Sequence, residues 1–169
     1  MRTRRVAMLT ALVVLLLVVG TTGARANSYP GLVEKWYSHN SDGLRARIAI
    51  EVNGAGQGRL RFHLTCYDTD DNGNQVHQFC TFWEADARWC DLTTRTCFDR
   101  ELGRVDHDDD YTWVGSYHAL VNNHKYAVKV SGFSAYFWNS GYQGALHTLC
   151  SKEVTWHSGG SPTIGGTAC

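Results

Sequence analysis

Apolar and polar residues alternate one by one along most of the chain. From Arg45 to Val52, the residues Ala46, Ile48, Ile50 and Val52 fall on one side of an extended strand. Arg45, Arg47, Ala49 and Glu51 fall on the other, the period of two of a half-buried strand. The run Asn53-Gly54-Ala55-Gly56-Gln57-Gly58 has three glycines in six residues and reads as a loop. The pattern resumes with Leu60, Phe62, Leu64 and Cys66 inward. With Val52 facing Leu60, Glu51 falls opposite Arg61 and Arg47 opposite Thr65. The outward face then carries a basic stripe of Arg45, Arg47, Arg59 and Arg61 with His63. That stripe reads as an anion-binding surface or as solvated charge on a half-exposed sheet.

The stretch Arg59–Trp83 predicts a hairpin around the acidic turn Asp68–Gly73. A three-residue loop at Asn72-Gly73-Asn74 sets Cys66 across from Cys80. It turns Val76, Gln78 and Phe82 inward and leaves Phe79 and Trp83 outward. A two-residue Asn72-Gly73 turn flips that strand and brings Phe79 and Trp83 to the core. Further on, Glu84–Asp86 turns the chain into Arg88–Asp91, and Leu92–Arg95 forms a loop. Asp99–Asp110 is the least regular stretch. Trp113, Gly115, Tyr117 and Ala119 alternate inward, Asn122-Asn123 suits a tight turn, and Tyr126, Val128 and Val130 answer as a second hairpin. Phe133–Trp138 continues as strand, Asn139-Ser140-Gly141 breaks it, and Ala145–Trp156 is the last long strand. On that strand Leu146, Thr148, Cys150, Val154 and Trp156 share a face.

No window sustains a helical period. The pattern predicts an all-β fold of about 7–8 strands in a two-sheet antiparallel β-sandwich, with a closed β-barrel as the alternative. The sandwich domain is expected over residues 44–156. A lead-in at 27–43 precedes it, with a short strand around Leu32–Tyr37, and a Gly/Ser-rich tail at 157–169 follows, tied back by Cys169.

The first 26 residues read as a signal peptide rather than as structure. Arg2, Arg4 and Arg5 precede an apolar run of 14 residues, Val6–Val19, and Ala24-Arg25-Ala26 offers a small-x-small cleavage site. The run falls short of the roughly 20 residues that span a bilayer. Secretion is therefore expected, with no membrane span after cleavage. The full chain balances 16 basic against 16 acidic residues. Cleavage removes four arginines and leaves a net charge of −4, against a nucleic-acid or membrane-surface binder. All six cysteines lie in the remaining 143 residues, and an even count in an exported chain reads as three disulfides. Proximity favours Cys66–Cys80, Cys90–Cys97 and Cys150–Cys169. The flipped register of the central hairpin would instead bring Cys80 to Cys90.

Candidate chemistry is confined to a few places. Asp68, Asp70 and Asn72 occupy the acidic positions of a D-x-D-x-N-G calcium loop, which makes calcium the one cofactor the sequence suggests. Phe79 stands where the bidentate Glu belongs, so the remaining oxygens would come from Asp106 and Asp108–Asp110. The competing reading is a plain hairpin turn. Asp106-His107-Asp108 has no accompanying transition-metal spacing, the eight histidines are scattered singly, and no nucleophile motif is present. No catalytic residue is assigned. Tyr136, Trp138 and Tyr142, with Asn139 and Gln143, flank one turn: aromatic faces beside amides, which stacking on sugar rings and bonding to hydroxyls require. Core packing is the competing reading. The Cys90–Cys97 loop, with Arg95 or Leu92 as anchor, would suit a protease inhibitor if rigid and exposed.

The run from Tyr111 to Cys150 resembles the late strands of immunoglobulin-like domains, which implies a sandwich and nothing about function. The excess of Arg over Lys, 12 to 4, with the export signal, looks like small secreted, disulfide-bonded proteins of high-GC Gram-positive bacteria. That resemblance carries no site residues over. The sequence thus points to a secreted, non-catalytic binding module for extracellular carbohydrate, cell-surface polymer or protein. A protease inhibitor is the alternative, and a small hydrolase the remaining one.

Overall fold

A computed structural model describes residues 27–169; the expected signal peptide lies outside the described residues. Every regular element among them is a strand. The first four are β1 (Val33–His39), β2 (Asp42–Val52), β3 (Gln57–Thr69) and β4 (Gln75–His77). Then come β5 (Cys80–Phe82), β6 (Ala85–Asp91), β7 (Thr96–Leu102), β8 (Val105–Asp108), β9 (Asp110–Val114) and β10 (His118–Ala119). The last six are β11 (Lys125–Phe133), β12 (Ala135–Phe137), β13 (Tyr142–Gln143), β14 (His147–Cys150), β15 (Lys152–Thr155) and β16 (Thr163–Thr167).

The strands make an open, antiparallel β-sandwich. In one layer β1, β2 and β3 lie in order, and β4, β9 and β10 pair in succession along the other edge of β3. The second layer runs β16-β15-β11-β6-β7, with β14 also beside β11. Past a bend it is continued by a smaller sheet, β13-β12-β5-β8. The chain crosses the bend at Trp83-Glu84, Gly103-Arg104 and Ser134, where Trp83 N–H donates to Ser134 O at 3.3 Å. These breaks separate β5 from β6, β7 from β8 and β11 from β12. With the short segments β4, β10, β13 and β16 they raise the count to sixteen where about seven or eight strands were expected. Between the layers, Ile48, Ile50, Phe62 and Leu64 meet Phe82, Val128, Val130, Phe133 and Leu149, none more than 2% exposed.

The structure corrects several local expectations. Ile50, not Val52, faces Leu60, and Val52 faces Gly58. The loop tightens because Asn53 Oδ1 accepts the N–H groups of Ala55 and Gln57 at 3.0 and 3.1 Å. The register moves by two, so the inward set is unchanged but Glu51 now lies opposite Arg59 and Arg47 opposite His63. The acidic turn also closes earlier than expected: Thr69 pairs with Gln75, and Asp70 N–H donates to Asn74 O at 2.9 Å. Gln78, not Cys80, is then the neighbour of Cys66, its N–H on Cys66 O at 3.1 Å. The chain next leaves the first layer, and Cys80 pairs with Phe137 in the second. Cys66–Cys80 therefore staples the layers together, with Cα atoms 6.4 Å apart.

The hairpin expected around Asn122-Asn123 does not form. Trp113 lies beside Phe62 on β3, whereas Tyr126 to Val130 lie beside β6, so this turn carries the chain between layers. Alternation marks which face a residue presents, not which strand it neighbours. The last long strand is interrupted at Ser151, fully buried, which reverses the inward parity: Leu149 and Val154 face the core, and Leu146 is 73% exposed. The Gly/Ser tail is a strand too, since Ile164 of β16 faces Val154 and Cys169 bonds Cys150. The third disulfide, Cys90–Cys97, joins residues directly opposite on β6 and β7.

Candidate functional site

Strands β13, β12, β5 and β8 turn one face to the core and the other to solvent. On β12 the alternation buries Ala135 and Phe137 and sends Tyr136 outward, and Trp138 follows on the same side. Tyr136 lies across from Gln143 on β13 and Thr81 on β5. The outer face is therefore built from positions far apart in sequence.

Its aromatic rings form a continuous path. Phe79 stacks on His107 with centroids 4.4 Å apart, His107 meets Trp138 edge-on at 5.3 Å, and Trp138 meets Tyr136 edge-on at 5.8 Å. Phe79 is 50% and Trp138 49% exposed, and their neighbourhood in one ring path makes them a patch rather than single exposed side chains. Polar groups run beside them. Trp138 Nε1 donates to Thr81 Oγ1 at 3.2 Å, and Thr81 donates onward to Asp106 Oδ1 at 3.1 Å. Arg104 donates to the same Asp106 oxygen at 2.7 Å and lies over the Trp83 ring, 4.3 Å from its centroid. Trp83 Nε1 in turn donates to Gln143 Oε1 at 2.8 Å. Arg104, then Thr81, hold the Asp106 carboxyl below the usual carboxylate range, so it stays ionised and accepting at neutral pH.

The five sequence-flagged residues separate. Tyr136, Trp138 and Gln143 share this outer face. Tyr142 turns to the other side, stacked on His39 with centroids 3.8 Å apart, and lines a cavity of about 220 Å³ with Tyr37, Ser38 and His147. Asn139 sits in the turn, its Nδ2 3.5 Å from Asp68 Oδ2. Phe79, Thr81, Trp83 and Arg104 carry no ligand motif in the sequence, and Asp106 and His107, which read there as metal-binding candidates, join the aromatic face instead. One signal existed: in the register that pairs the central cysteines, Phe79 and Trp83 face away from the core.

Of Asp68, Asp70 and Asn72, it is the Asp70 carboxylate that is taken up within the turn, while Asp68 accepts Thr69 N–H at 2.8 Å and Asn72 contributes its backbone N–H. Asp70 accepts from the N–H groups of Asn72 and Asn74 at 3.0 and 2.8 Å and from Asn74 Nδ2 at 3.2 Å. These bonds, those from Asn74 foremost, lower the Asp70 pKa. Asp109 and Asp110 pair with His77 and His63, and Asp108 accepts Asp110 N–H. Among the described residues no three His, Cys, Asp or Glu side chains gather as a metal set.

The basic stripe is largely neutralised. Arg47 pairs with Glu34, Arg59 and Arg61 pair with Glu51, and His63 pairs with Asp110. Arg45 lies against the rings of Trp36 and Tyr67, 5.3 and 5.2 Å from their centroids. The Cys90–Cys97 loop is a tight turn. Arg95 has φ +59°, Asp91 Oδ1 accepts the N–H groups of Thr93 and Thr94, and Leu92 N–H donates to Lys125 O at 2.8 Å. Of the His–Asp pairs, His63–Asp110, His77–Asp109 and His124–Asp91, none has a serine, threonine or cysteine hydrogen-bonded to the histidine among the described residues.

A second cleft, of about 450 Å³, opens at the sandwich edge between Trp89, Phe98, Arg100, Gly115 and His118. His118 lines it, its ring stacked on Trp89 and on Phe98 at 5.3 and 4.9 Å. Among the described residues no helix is long and apolar enough to cross a membrane. No family model matches the chain, and neither a curated protein nor a solved structure matches it.

Proposed function

We propose that this is a secreted, non-catalytic binding module that holds an extended carbohydrate or cell-surface polymer on the outer face of the β13-β12-β5-β8 sheet. The observation that carries the reading is the ring path Phe79–His107–Trp138–Tyr136, running beside the exposed side chains of Gln143 and Asp106, with Thr81, 1% exposed, linking Trp138 to Asp106 beneath them. Sugar rings offer apolar C–H faces for stacking and hydroxyls for hydrogen bonds, and a surface that presents both along a row suits successive units of a polymer. Secretion is supported by the basic, apolar and small-x-small succession in residues 1–26 and by six cysteines all in disulfides. The net charge of −4 after cleavage suits a neutral ligand better than a polyanion.

Retention of the purified protein on insoluble polysaccharides and on cell walls tests the proposal. Trp138→Ala and Phe79→Ala should each lose retention while keeping the parent's thermal midpoint, because both rings are half exposed. Undiminished retention of Trp138→Ala, or no retention of the parent on any such polymer, defeats it.

A further inference from the structure

The end of the sandwich beside this face is built unlike the rest of the core. Leu44 lies opposite Cys66, both buried, and Gly43 opposite Tyr67. One step beyond the last paired residues, the same register brings Asp42 toward Asp68, whose Oδ1 accepts Thr69 N–H at 2.8 Å and whose Oδ2 faces Asn139 Nδ2 at 3.5 Å. Like charges directly opposite on adjacent strands are destabilising. Asp42 is only 2% exposed. Neither carboxylate has an Arg, Lys or His partner among the described residues. A buried carboxylate with no counter-charge is costly to hold.

The groups around Asp42 are oxygen-rich. Ser140 Oγ donates to Asp42 Oδ2 at 2.5 Å, and Gln78 Nε2 donates to Asp42 Oδ1 at 2.8 Å and to Tyr67 O at 2.6 Å. Gln78 is 4% exposed, and its amide oxygen is buried without a hydrogen-bond partner. That orphan oxygen belongs to the same planar group that rests on the Asp42 carboxylate. Rotating the amide half a turn would aim it where Asp42 Oδ1 and Tyr67 O already converge. A third oxygen at that point favours a cation over a hydrogen-bond donor.

We propose that Asp42, Asp68, the Gln78 amide oxygen and Ser140 Oγ, with Tyr67 O, bind one hard divalent cation of calcium's size. The donor set is all oxygen, with two carboxylates and several neutral ligands, which fits calcium's six to eight oxygens once waters complete the shell. It holds no nitrogen or sulfur ligand for zinc or copper. Asp68 is half-buried and Ser140 exposed, so the cation enters from solvent. The site differs from the acidic turn at Asp70 and Asn72 and is independent of the polymer-binding proposal, although Ser140 lies two residues from Trp138.

Calcium titrated into chelator-treated protein, followed by calorimetry and thermal unfolding at constant ionic strength, tests the site. One calcium per chain should bind and raise the midpoint saturably, with magnesium less effective. Asp68→Asn should weaken binding by roughly tenfold or more, since affinity follows ligand charge. Asp42→Asn should abolish it, yet in chelator should unfold no lower than the parent, because it removes an unpaired buried charge. Asp70→Asn should bind like the parent. Identical parent midpoints in calcium and chelator with no binding heat overturn the proposal, as does full binding by Asp68→Asn. Loss of binding in Asp70→Asn alone would place the cation in the acidic turn and overturn it too.

Discussion

Arg59 grips Glu51 with both ends of its guanidinium, Nε on Oε2 at 3.2 Å and Nη2 on Oε1 at 3.0 Å, directly across β2 and β3. Asn27 Nδ2 at 2.8 Å, Arg61 Nη1 at 3.5 Å and the Tyr117 hydroxyl at 3.2 Å complete the surround of a carboxylate that is 1% exposed. Burial pushes the Glu51 pKa up, but the bonds and charge of Arg59, then Tyr117 and Arg61, outweigh it and leave the pKa lowered. A lowered native pKa stabilises the fold above the ordinary glutamate value of about 4.3, and that stability is lost as pH falls through the native value. Glu51→Gln should therefore unfold well below the parent at neutral pH, with the gap narrowing below about pH 4. Arg59→Ala should cost about 3 kcal/mol, the low end for breaking a buried pair, because Asn27, Arg61 and Tyr117 remain. Urea unfolding across the pH range checks both; a gap independent of pH would mean that Glu51 acts through packing alone.

Gly58 has a tighter constraint than its loop position suggests. A Cβ there would lie 2.8 Å from Trp89 Cη2, 3.0 Å from Leu120 Cδ2 and 3.3 Å from Ile50 Cγ2. Trp89 and Ile50 belong to the core and cannot swing away, whereas Leu120 is only partly buried. Gly58→Ala should cost about 1–3 kcal/mol, as overpacking does. Gly73→Ala, whose Cβ meets nothing within 4 Å but whose φ is +81°, should lose less, through backbone strain alone. Parallel thermal melts decide it, and an unshifted midpoint for Gly58→Ala would be the contrary result.

The three disulfides close 8, 15 and 20 residues, and chain entropy separates these by less than about 1 kcal/mol. Their surroundings should separate them further. Cys90 and Cys97 face each other in a hairpin already fixed by the seven β6–β7 residue pairs and the Asp91 turn. Cys66 and Cys80 are fully buried and join separate layers. Replacing both with Ala should give the larger fall in midpoint, because a core cavity adds to the lost cross-link. The same double replacement at Cys90 and Cys97 should give the smaller one. Equal losses would argue that the unfolded chain alone sets the effect.

These elements show what a single sequence discloses. The inward set Ala46, Ile48, Ile50, Leu60, Phe62 and Leu64 was legible because the pleat repeats every two residues and one face is buried. The neighbour of each strand was not, because the same alternation serves a hairpin and a crossing between layers, as at Gln78–Cys80 and Asn122-Asn123. The β16 strand was hidden by Gly, Ser and Thr, since backbone pairing to β15 and the Cys150–Cys169 bond hold it rather than apolar burial. Tyr136, Trp138 and Gln143 were legible as a polar-aromatic cluster around one turn. Asp106, Thr81 and Trp83 join them only through strand order, which local pattern does not encode.

Ser151 is where the last strand divides, and its hydroxyl performs the division. It accepts Val128 N–H at 3.1 Å and donates to Lys152 O at 2.9 Å, while Ser151 N–H donates to Val128 O. The Val128 amide thus finds a side chain where a regular ladder would supply a carbonyl, in a place with no access to water. Ser151→Ala should leave that amide unpaired, at a cost of about 1–3 kcal/mol. The loss should be local as well as global. Amide exchange at Val128 should quicken by more than at Val130, which lies opposite Leu149 in the intact β11–β14 ladder. Equal quickening at the two amides would mean that Ser151 contributes only to overall stability and that the parity change is held by the flanking strands.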